Sequence, residues 1–321
     1  MSETDERIPA HMQDLPQSDG KSSRVYGIIA RSAHRAILFR RGPSRSTRLL
    51  SWDLKSDTIE AGQWVRARIY ERRCDLSPDG KYLVYFAANY KPPLDSWTAI
   101  SRPPWFTALA LWRKDDGWGG GGLFDSSVRL RLNHRPQPYR DDIDEWSLQE
   151  GFTLPKWLTV EPLHEHSGWG EDDPIEYMRL LRDGWRFEDN GSVDTEHNFQ
   201  SRYWVTFDPP RARSKPLGKS RNDAPLLRVQ LHGIKERQGR WLVDTADVVD
   251  AGGAALHSLG RIDWADVDHQ GDVLYASEGR LVRLRINRAR DGLTFESRLI
   301  ADLNDMKFKP IRSPSSAKSW K

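Results

Sequence analysis

Cysteine occurs once in the 321-residue chain, at Cys74, so no internal disulfide can form. A single thiol fits a reducing compartment. No apolar run reaches the roughly 18 residues that a spanning helix needs, and mean hydropathy is -0.72, which excludes a membrane-crossing helix. The opening Met1-Ser2-Glu3-Thr4-Asp5-Glu6-Arg7 is polar and partly acidic, without the basic start and apolar stretch of a secretory signal. A cytoplasmic location with no membrane partner is therefore expected. An excess of either charge is also missing: 49 Lys and Arg stand against 46 Asp and Glu, a net charge of +3. That falls short of the footprint of a dedicated nucleic-acid binder. Two basic groups, Arg40, Arg41, Arg45 and Arg48, and Arg211, Arg213, Lys215, Lys219 and Arg221, keep nucleic acid as a rival partner class.

Catalytic signatures are equally scarce. There is no Gly-x-Ser-x-Gly elbow. Gly119-Gly120-Gly121-Gly122 is not followed by Lys-Ser or Lys-Thr at the spacing of a phosphate-binding loop, and Leu123-Phe124 reads as a strand. The run is expected to be a permissive hairpin loop after the strand Thr107–Trp112, although four glycines also suit a close approach by another chain. His164 and His166, with Glu165 between them and Glu171-Asp172-Asp173 after, are the densest potential metal ligands. Two imidazoles at i and i+2 on a strand share a face, but a helical zincin needs them four apart. They stand as weak metal candidates only. The turn Asp75–Gly80 has Phe86 where a calcium loop needs a bidentate Glu. Cys74 precedes a strand and is expected to be a small buried residue. No cofactor and no catalysis are expected.

What is present is a phrase that occurs twice. Cys74-Asp75-Leu76-Ser77-Pro78-Asp79-Gly80-Lys81-Tyr82-Leu83-Val84-Tyr85 aligns with Ala265-Asp266-Val267-Asp268-His269-Gln270-Gly271-Asp272-Val273-Leu274-Tyr275-Ala276. Each reads as strand, polar turn closed by Gly, strand, with Asp75 on Asp266 and Gly80 on Gly271. Pro presets the first corner of such a turn and Gly supplies the positive φ. A weaker copy at Ser32–Phe39 lies 45 residues before Ser77, near the period of a four-stranded propeller blade. Leu181-Arg182-Asp183-Gly184-Trp185 offers another turn Gly, 104 residues after Gly80 and 87 before Gly271.

Asp75-Leu76-Ser77-Pro78-Asp79-Gly80-Lys81-Tyr82-Leu83-Val84 resembles the strand-turn-strand motif of bacterial WD40-like propeller repeats of the TolB type. The second copy departs from it with His269-Gln270 in place of Pro-Asp. The resemblance implies an all-β chain: a β-propeller of about five or six degenerate four-stranded blades. It also implies a binding platform, and some divergent bacterial propellers resemble components of multi-protein conflict systems.

The expected organisation is a disordered segment at 1–22, a propeller over 23–306 with loop insertions around 133–194, and a basic disordered tail at 307–321. The tail carries Lys307, Lys309, Arg312, Lys318 and Lys321 and no acid. With 14 Trp in the chain, most are expected to fill gaps between blades, Trp52, Trp64, Trp97, Trp105, Trp112, Trp118, Trp157, Trp204, Trp241 and Trp264 among them. The first functional expectation is a non-catalytic scaffold or adaptor that binds a protein partner around Trp105, Trp118, Trp146 and Trp169. The alternative is a metal-dependent, hydrolase-like propeller enzyme using Asp75, Asp266, His164 and His166. A nucleic-acid-binding protein is the remaining alternative.

Overall fold

In a computed structural model of the chain, the structure describes residues 9–13, 15, 21–42, 46–137, 144–196, 201–218, 224–290 and 292–321. Much of the segment at 1–22 expected to be disordered, together with Arg45, Lys219 and Arg221, lies outside the described residues. Strand dominates the remainder. The α-helices are the turn α1 (Ala10–Gln13) and α2 (Ile175–Arg182). The chain divides into two compact units, one of Tyr26–Asp183 with Met306–Lys321 and one of Met1–Val25 with Gly184–Asp305.

The unit containing Tyr26–Asp183 holds three sheets. β1 (Arg24–Ile29), β2 (Arg35–Arg41), β3 (Thr47–Asp53) and β4 (Thr58–Val65) lie side by side in chain order. β5 (Arg68–Ile69) and β6 (Asp75–Leu76) both pair with β7 (Leu83–Lys91), which continues into β8 (Leu94–Ser101) and β9 (Ala108–Arg113). β10 (Gly122–Ser126) runs antiparallel to β11 (Arg129–Leu132), and β12 (Thr159–Pro162) joins β11 in parallel. The parallel pairing follows from the long connection between β11 and β12, since a tight hairpin can only reverse the strand. Tyr82, Val84, Ile100, Trp112, Phe124 and Leu130 pack into one buried cluster from the second and third of these sheets. β7 carries Leu83–Ala88 buried on both faces, as expected for a run of aromatic and β-branched residues.

The other unit holds two sheets. β13 (Arg186–Phe187) and β14 (Val193–Glu196) both border β15 (Tyr203–Pro216), followed by β16 (Leu226–Glu236), β17 (Leu242–Val249) and β18 (Ala255–Ile262). β19 (Trp264–Val267), β20 (Val273–Ser277), β21 (Arg280–Ala289) and β22 (Gly292–Asp302) form an antiparallel meander. α1 inserts Met12 into a buried cluster with Tyr203 and Val243.

The duplicated phrase folds twice into the same device. β6 pairs β7 and β19 pairs β20. The side-chain oxygen at one aligned position organises both turns: Ser77 Oγ accepts from the amides of Lys81 and Tyr82, at 3.1 and 2.9 Å. Asp268 Oδ1 accepts from those of Gln270 and Asp272, at 2.8 and 3.0 Å. The closing glycine then bonds back, Gly80 N to Ser77 O at 2.8 Å and Gly271 N to Asp268 O at 3.1 Å. Both glycines hold positive φ, +72° and +87°, a region that L side chains avoid. The first turn closes between Ser77 and Tyr82, the second between Asp268 and Asp272, so the copy containing Pro78 is one residue wider.

Several expectations differ from the structure. Gly184, with φ +90°, follows the C-cap Asp183 of α2 and ends a helix instead of closing a blade turn. The run Gly119–Gly122 is not a hairpin loop, because β9 and β10 belong to different sheets. A Cβ at Gly119, Gly120, Gly121 or Gly122 would collide with Gly168, Phe86, Arg73 or Arg131 respectively. The glycines admit close approach by other segments of the same chain, where the alternative expectation was approach by another chain. The tail at 307–321 is packed: Ala317 is buried, and between ring centres Phe308 lies tilted 5.8 Å from Trp64 and Trp320 5.4 Å from Tyr82. Its two aromatics give it enough apolar surface to hold on to the sheet surface. Trp52, Trp64, Trp112 and Trp264 are core, whereas Trp118, Trp157, Trp204 and Trp241 are exposed.

Replacing Gly80 with Val is expected to lower thermal stability by roughly 1–3 kcal/mol, the usual cost of forcing a non-glycine residue into this backbone region. A Cβ there also meets the Arg35 side chain at 3.2 Å. Unfolding temperatures of the intact chain and the variant check this, and unchanged unfolding would count against the turn assignment.

Candidate functional site

Three loops of the unit containing Tyr26–Asp183 converge beside the glycine run: the exit of β9 (Lys114–Trp118), the segment after β11 (Asn133–Arg135), and the stretch after β12 (Ser167–Gly170). They are stitched by main chain. Gly120 N donates to Asn133 O at 2.7 Å, Asn133 N to Gly121 O at 3.0 Å, and Gly119 N to Gly170 O at 2.8 Å. The fully buried Arg73 clamps the first of these loops, donating to Gly117 O and Gly119 O at 2.6 and 2.7 Å. Only residues without side chains allow this spacing, which explains the glycines.

A buried charge cluster lies under the loops. Glu145 Oε1 accepts from Lys114 Nζ and from an Arg135 guanidinium nitrogen, each at 2.7 Å, and its Oε2 accepts from Arg135 N at 2.9 Å. Asp116 Oδ2 takes a further Arg135 bond at 2.8 Å. Two cations thus meet two carboxylates, the arrangement that makes buried charge tolerable. Burial pulls the Lys114 ammonium below the usual lysine range, against the opposing pull of Glu145 and Asp116.

His134 is enclosed beside this cluster. Its Nδ1 faces the carbonyl of Glu145 at 2.7 Å and its Nε2 faces Thr98 Oγ1 at 2.8 Å. A carbonyl can only accept, so Nδ1 carries the proton and Nε2 accepts from the Thr98 hydroxyl. Thr98 Oγ1 in turn accepts from Gly121 N at 2.9 Å. Burial first, then the Lys114 charge, pushes the His134 pKa down to about 3. The ring is a neutral structural link between the glycine run and the Glu145 loop.

Three of the four tryptophans expected to bind a partner meet here. Trp146 Nε1 donates to Arg135 O at 2.6 Å. Trp118 N donates to Asp116 Oδ1 at 3.0 Å. The Arg135 guanidinium carbon lies 4.2 Å from the Trp169 ring centre, a cation–π geometry. Trp146 is half-buried, while Trp118 and Trp169 are 52% and 49% exposed. Trp105 sits in a separate turn between β8 and β9, its amide bonded to Arg102 O at 2.9 Å. Arg135, Lys114, Asp116, Glu145 and His134 escaped the sequence reading because their partners come from distant loops.

The other candidate residues are placed as follows. His164 and His166 are exposed, and His164 Nδ1 accepts from His166 N at 3.1 Å. Among the described residues no group of three or more His, Cys, Asp or Glu is arranged to hold a metal ion. Asp75 is buried and accepts from Phe124 N at 2.8 Å and from Arg182 at 2.7 Å. Asp266 accepts from Lys215 Nζ at 2.7 Å. Each carboxylate is thus occupied by a cation of its own unit. Cys74 donates to Tyr70 O at 3.2 Å and burial pushes its thiol pKa up, making it a poor nucleophile. No protein-family model and no curated protein matches the chain.

Two outcomes follow. Glu145→Ala is expected to cost about 3–5 kcal/mol in chemical denaturation, because it strands two buried cations, and Glu145→Gln less. His134 is neutral in the fold but binds a proton below about pH 6.5 once unfolded, so the unfolded state holds more protons. Its contribution is therefore full above pH 6.5 and is lost as pH falls towards 3, by up to about 1.4 kcal/mol per pH unit. Denaturation midpoints between pH 7 and 4 should show a shallower acid slope for His134→Gln than for the intact chain. Equal slopes would refute the neutral ring.

Proposed function

We propose that this chain is a non-catalytic scaffold that binds a protein partner through the rim carrying Trp118 and Trp169, with its sheets arranged as the blades of a propeller resembling the WD40-like, TolB-type repeats. The propeller reading is supported by the duplicated strand-turn-strand unit at β6–β7 and β19–β20 and by the four-stranded series β1–β4 and β19–β22. On this reading the chain is cytoplasmic and serves a bacterial multi-protein system of the conflict type.

The carrying observation is the contrast between what is buried and what is left in water. Beneath the rim, Arg135 is committed to Glu145 and Asp116, so the acid–base groups are spent on structure. Above it, two large aromatic rings keep about half of their surface exposed, on loops fixed by main-chain bonds. Rigid, exposed Trp is the residue type that most often anchors a protein interface. Burying such rings in a partner releases apolar area at little conformational cost.

The test is affinity purification of the tagged chain with nuclease treatment, mass spectrometry and elemental analysis. A stoichiometric protein partner should survive nuclease, be lost from the Trp118→Ala/Trp169→Ala double variant, and be kept by Trp241→Ala, which alters an exposed Trp of the other unit. A partner retained by the double variant would overturn the proposed face. Release by nuclease, or a stoichiometric metal without a partner, would overturn the scaffold reading.

A further inference from the structure

The helical turn α1 (Ala10–Gln13) belongs to the same unit as the sheet that contains β15–β18 and is seated on it. Met12 is buried against Tyr203 of β15 and Val243 of β17. Its Cε is 3.3 Å from the place a Cβ would take at Gly233 of β16, so the absent side chain makes room for it. Arg202 adds a bond to Leu15 O at 3.0 Å.

One contact in this seat responds to charge. The His11 ring of α1 lies 5.3 Å from the His232 ring of β16 between centres, tilted by 43°. His232 is only 6% exposed, and its Nε2 is 2.7 Å from Thr245 Oγ1 of β17. His11 Nε2 and His232 Nδ1 are buried without a hydrogen-bond partner among the described residues, so neither ring gains a bond that would hold it in one protonation state. The charged groups around the pair are unequal. Asp208 of β15 has its Oδ1 4.0 Å from His11 Nδ1, so a proton on His11 meets a carboxylate. A proton on His232 meets the His11 ring and the field of Arg261 on β18, whose guanidinium is bonded to Glu236 of β16 at 3.2 Å. Two cationic rings this close in a poorly hydrated seat repel each other strongly.

We propose that the segment carrying α1 is an acid-released latch: it stays seated on β15–β17 while the His11–His232 pair holds at most one proton, and it leaves the sheet when both rings are charged, uncovering His232, Tyr203 and Val243. The latch lies in a different unit from the Trp118 and Trp169 rim and does not rest on the scaffold reading. Its direction follows from linkage. Burial first, then His11 and Arg261, push the His232 pKa down to about 4 in the seated state. Once the segment is off and the ring is wet, it returns towards the ordinary imidazole value near 6.5. The detached state therefore binds more protons, and the advantage of the seated state is full above about pH 6.5. That advantage falls by up to about tenfold per pH unit below it. Histidine is the side chain whose ordinary titration spans this range.

The test is hydrogen exchange by mass spectrometry on the full chain between pH 7 and 4.5, with rates corrected for the intrinsic pH dependence of amide exchange. Protection of peptides covering 9–15 should fall at least tenfold over that range while β19–β22 keeps its own. His232→Gln, which cannot be charged, should hold the protection of 9–15 at pH 4.5 within threefold of its value at pH 7. Asp208→Asn, which removes the anion facing His11, should start the loss at higher pH. Unchanged protection of 9–15 in the intact chain, or an equal loss in His232→Gln, would overturn the proposal. So would a loss shared in full by β19–β22, which is acid unfolding of the unit. Should His232→Gln fail to fold, proton NMR of the intact chain decides: the His232 ring should stay neutral down to pH 5 wherever 9–15 is still protected, and a ring that charges near pH 6.5 with the segment seated would overturn the proposal.

Discussion

The Glu145 carboxylate accepts two cations at once, Lys114 and Arg135, in a setting nearly closed to water, and the loops around the glycine run take their positions from it. The carboxylate also caps the Arg135 amide, so charge pairing and main-chain geometry are fixed by a single side chain. From Arg135 the order spreads outward: Asp116 is held by the guanidinium, Trp118 by Asp116, Trp146 by the Arg135 carbonyl and Trp169 by the guanidinium face. An ion cluster of this kind adds little net stability compared with apolar packing, because desolvation offsets most of the attraction. What it provides is direction, since hydrogen bonds to charged groups tolerate few alternative arrangements.

A second constraint is steric and works with the first. The run Gly119–Gly122 passes so close to Arg73, Phe86, Arg131 and Gly168 that no side chain fits. Arg73 then takes up the carbonyls of Gly117 and Gly119, Gly170 O, Asn133 O and Thr98 Oγ1 accept from the amides of Gly119, Gly120 and Gly121, and Asn133 N donates to the Gly121 carbonyl. The stretch Gly119–Gly121 of the crossover from β9 to β10 is thus buried backbone with polar partners, while Trp118 before it is exposed.

The parts of the fold that were legible in sequence are those whose chemistry is local. The two turns could be read because Ser77 or Asp268, the closing Gly and the flanking strands all lie within a dozen residues. The short helix α2 falls inside the stretch 133–194 where loop insertions were expected. The glycine crossover was misjudged because the groups approached by Gly119, Gly120 and Gly121 are 34 to 49 residues away along the chain. The tail at 307–321 was misjudged because its composition is basic and polar, and its two anchoring aromatics have meaning only opposite Trp64 and Tyr82. For the site, Trp118, Trp146 and Trp169 were picked out by residue type, but nothing in their spacing distinguished them from Trp105. That distinction depends on Arg135, whose role arises from pairings across three loops.

The chain changes unit at three points, between Val25 and Tyr26, Asp183 and Gly184, and Asp305 and Met306. The unit begun at Tyr26 is therefore interrupted by the stretch Gly184–Asp305 before Trp320 reaches Tyr82, a hydrogen-bonded pair 238 residues apart. During synthesis, which proceeds from the N-terminus at about 5–20 residues per second, Tyr82 and Arg102 are made many seconds before the Trp320 that bonds to them. Until then the contacts of Trp320 with Tyr82 and Arg102 are unmade, so this unit closes its last long-range pairing only after the stretch Gly184–Asp305 has been synthesised.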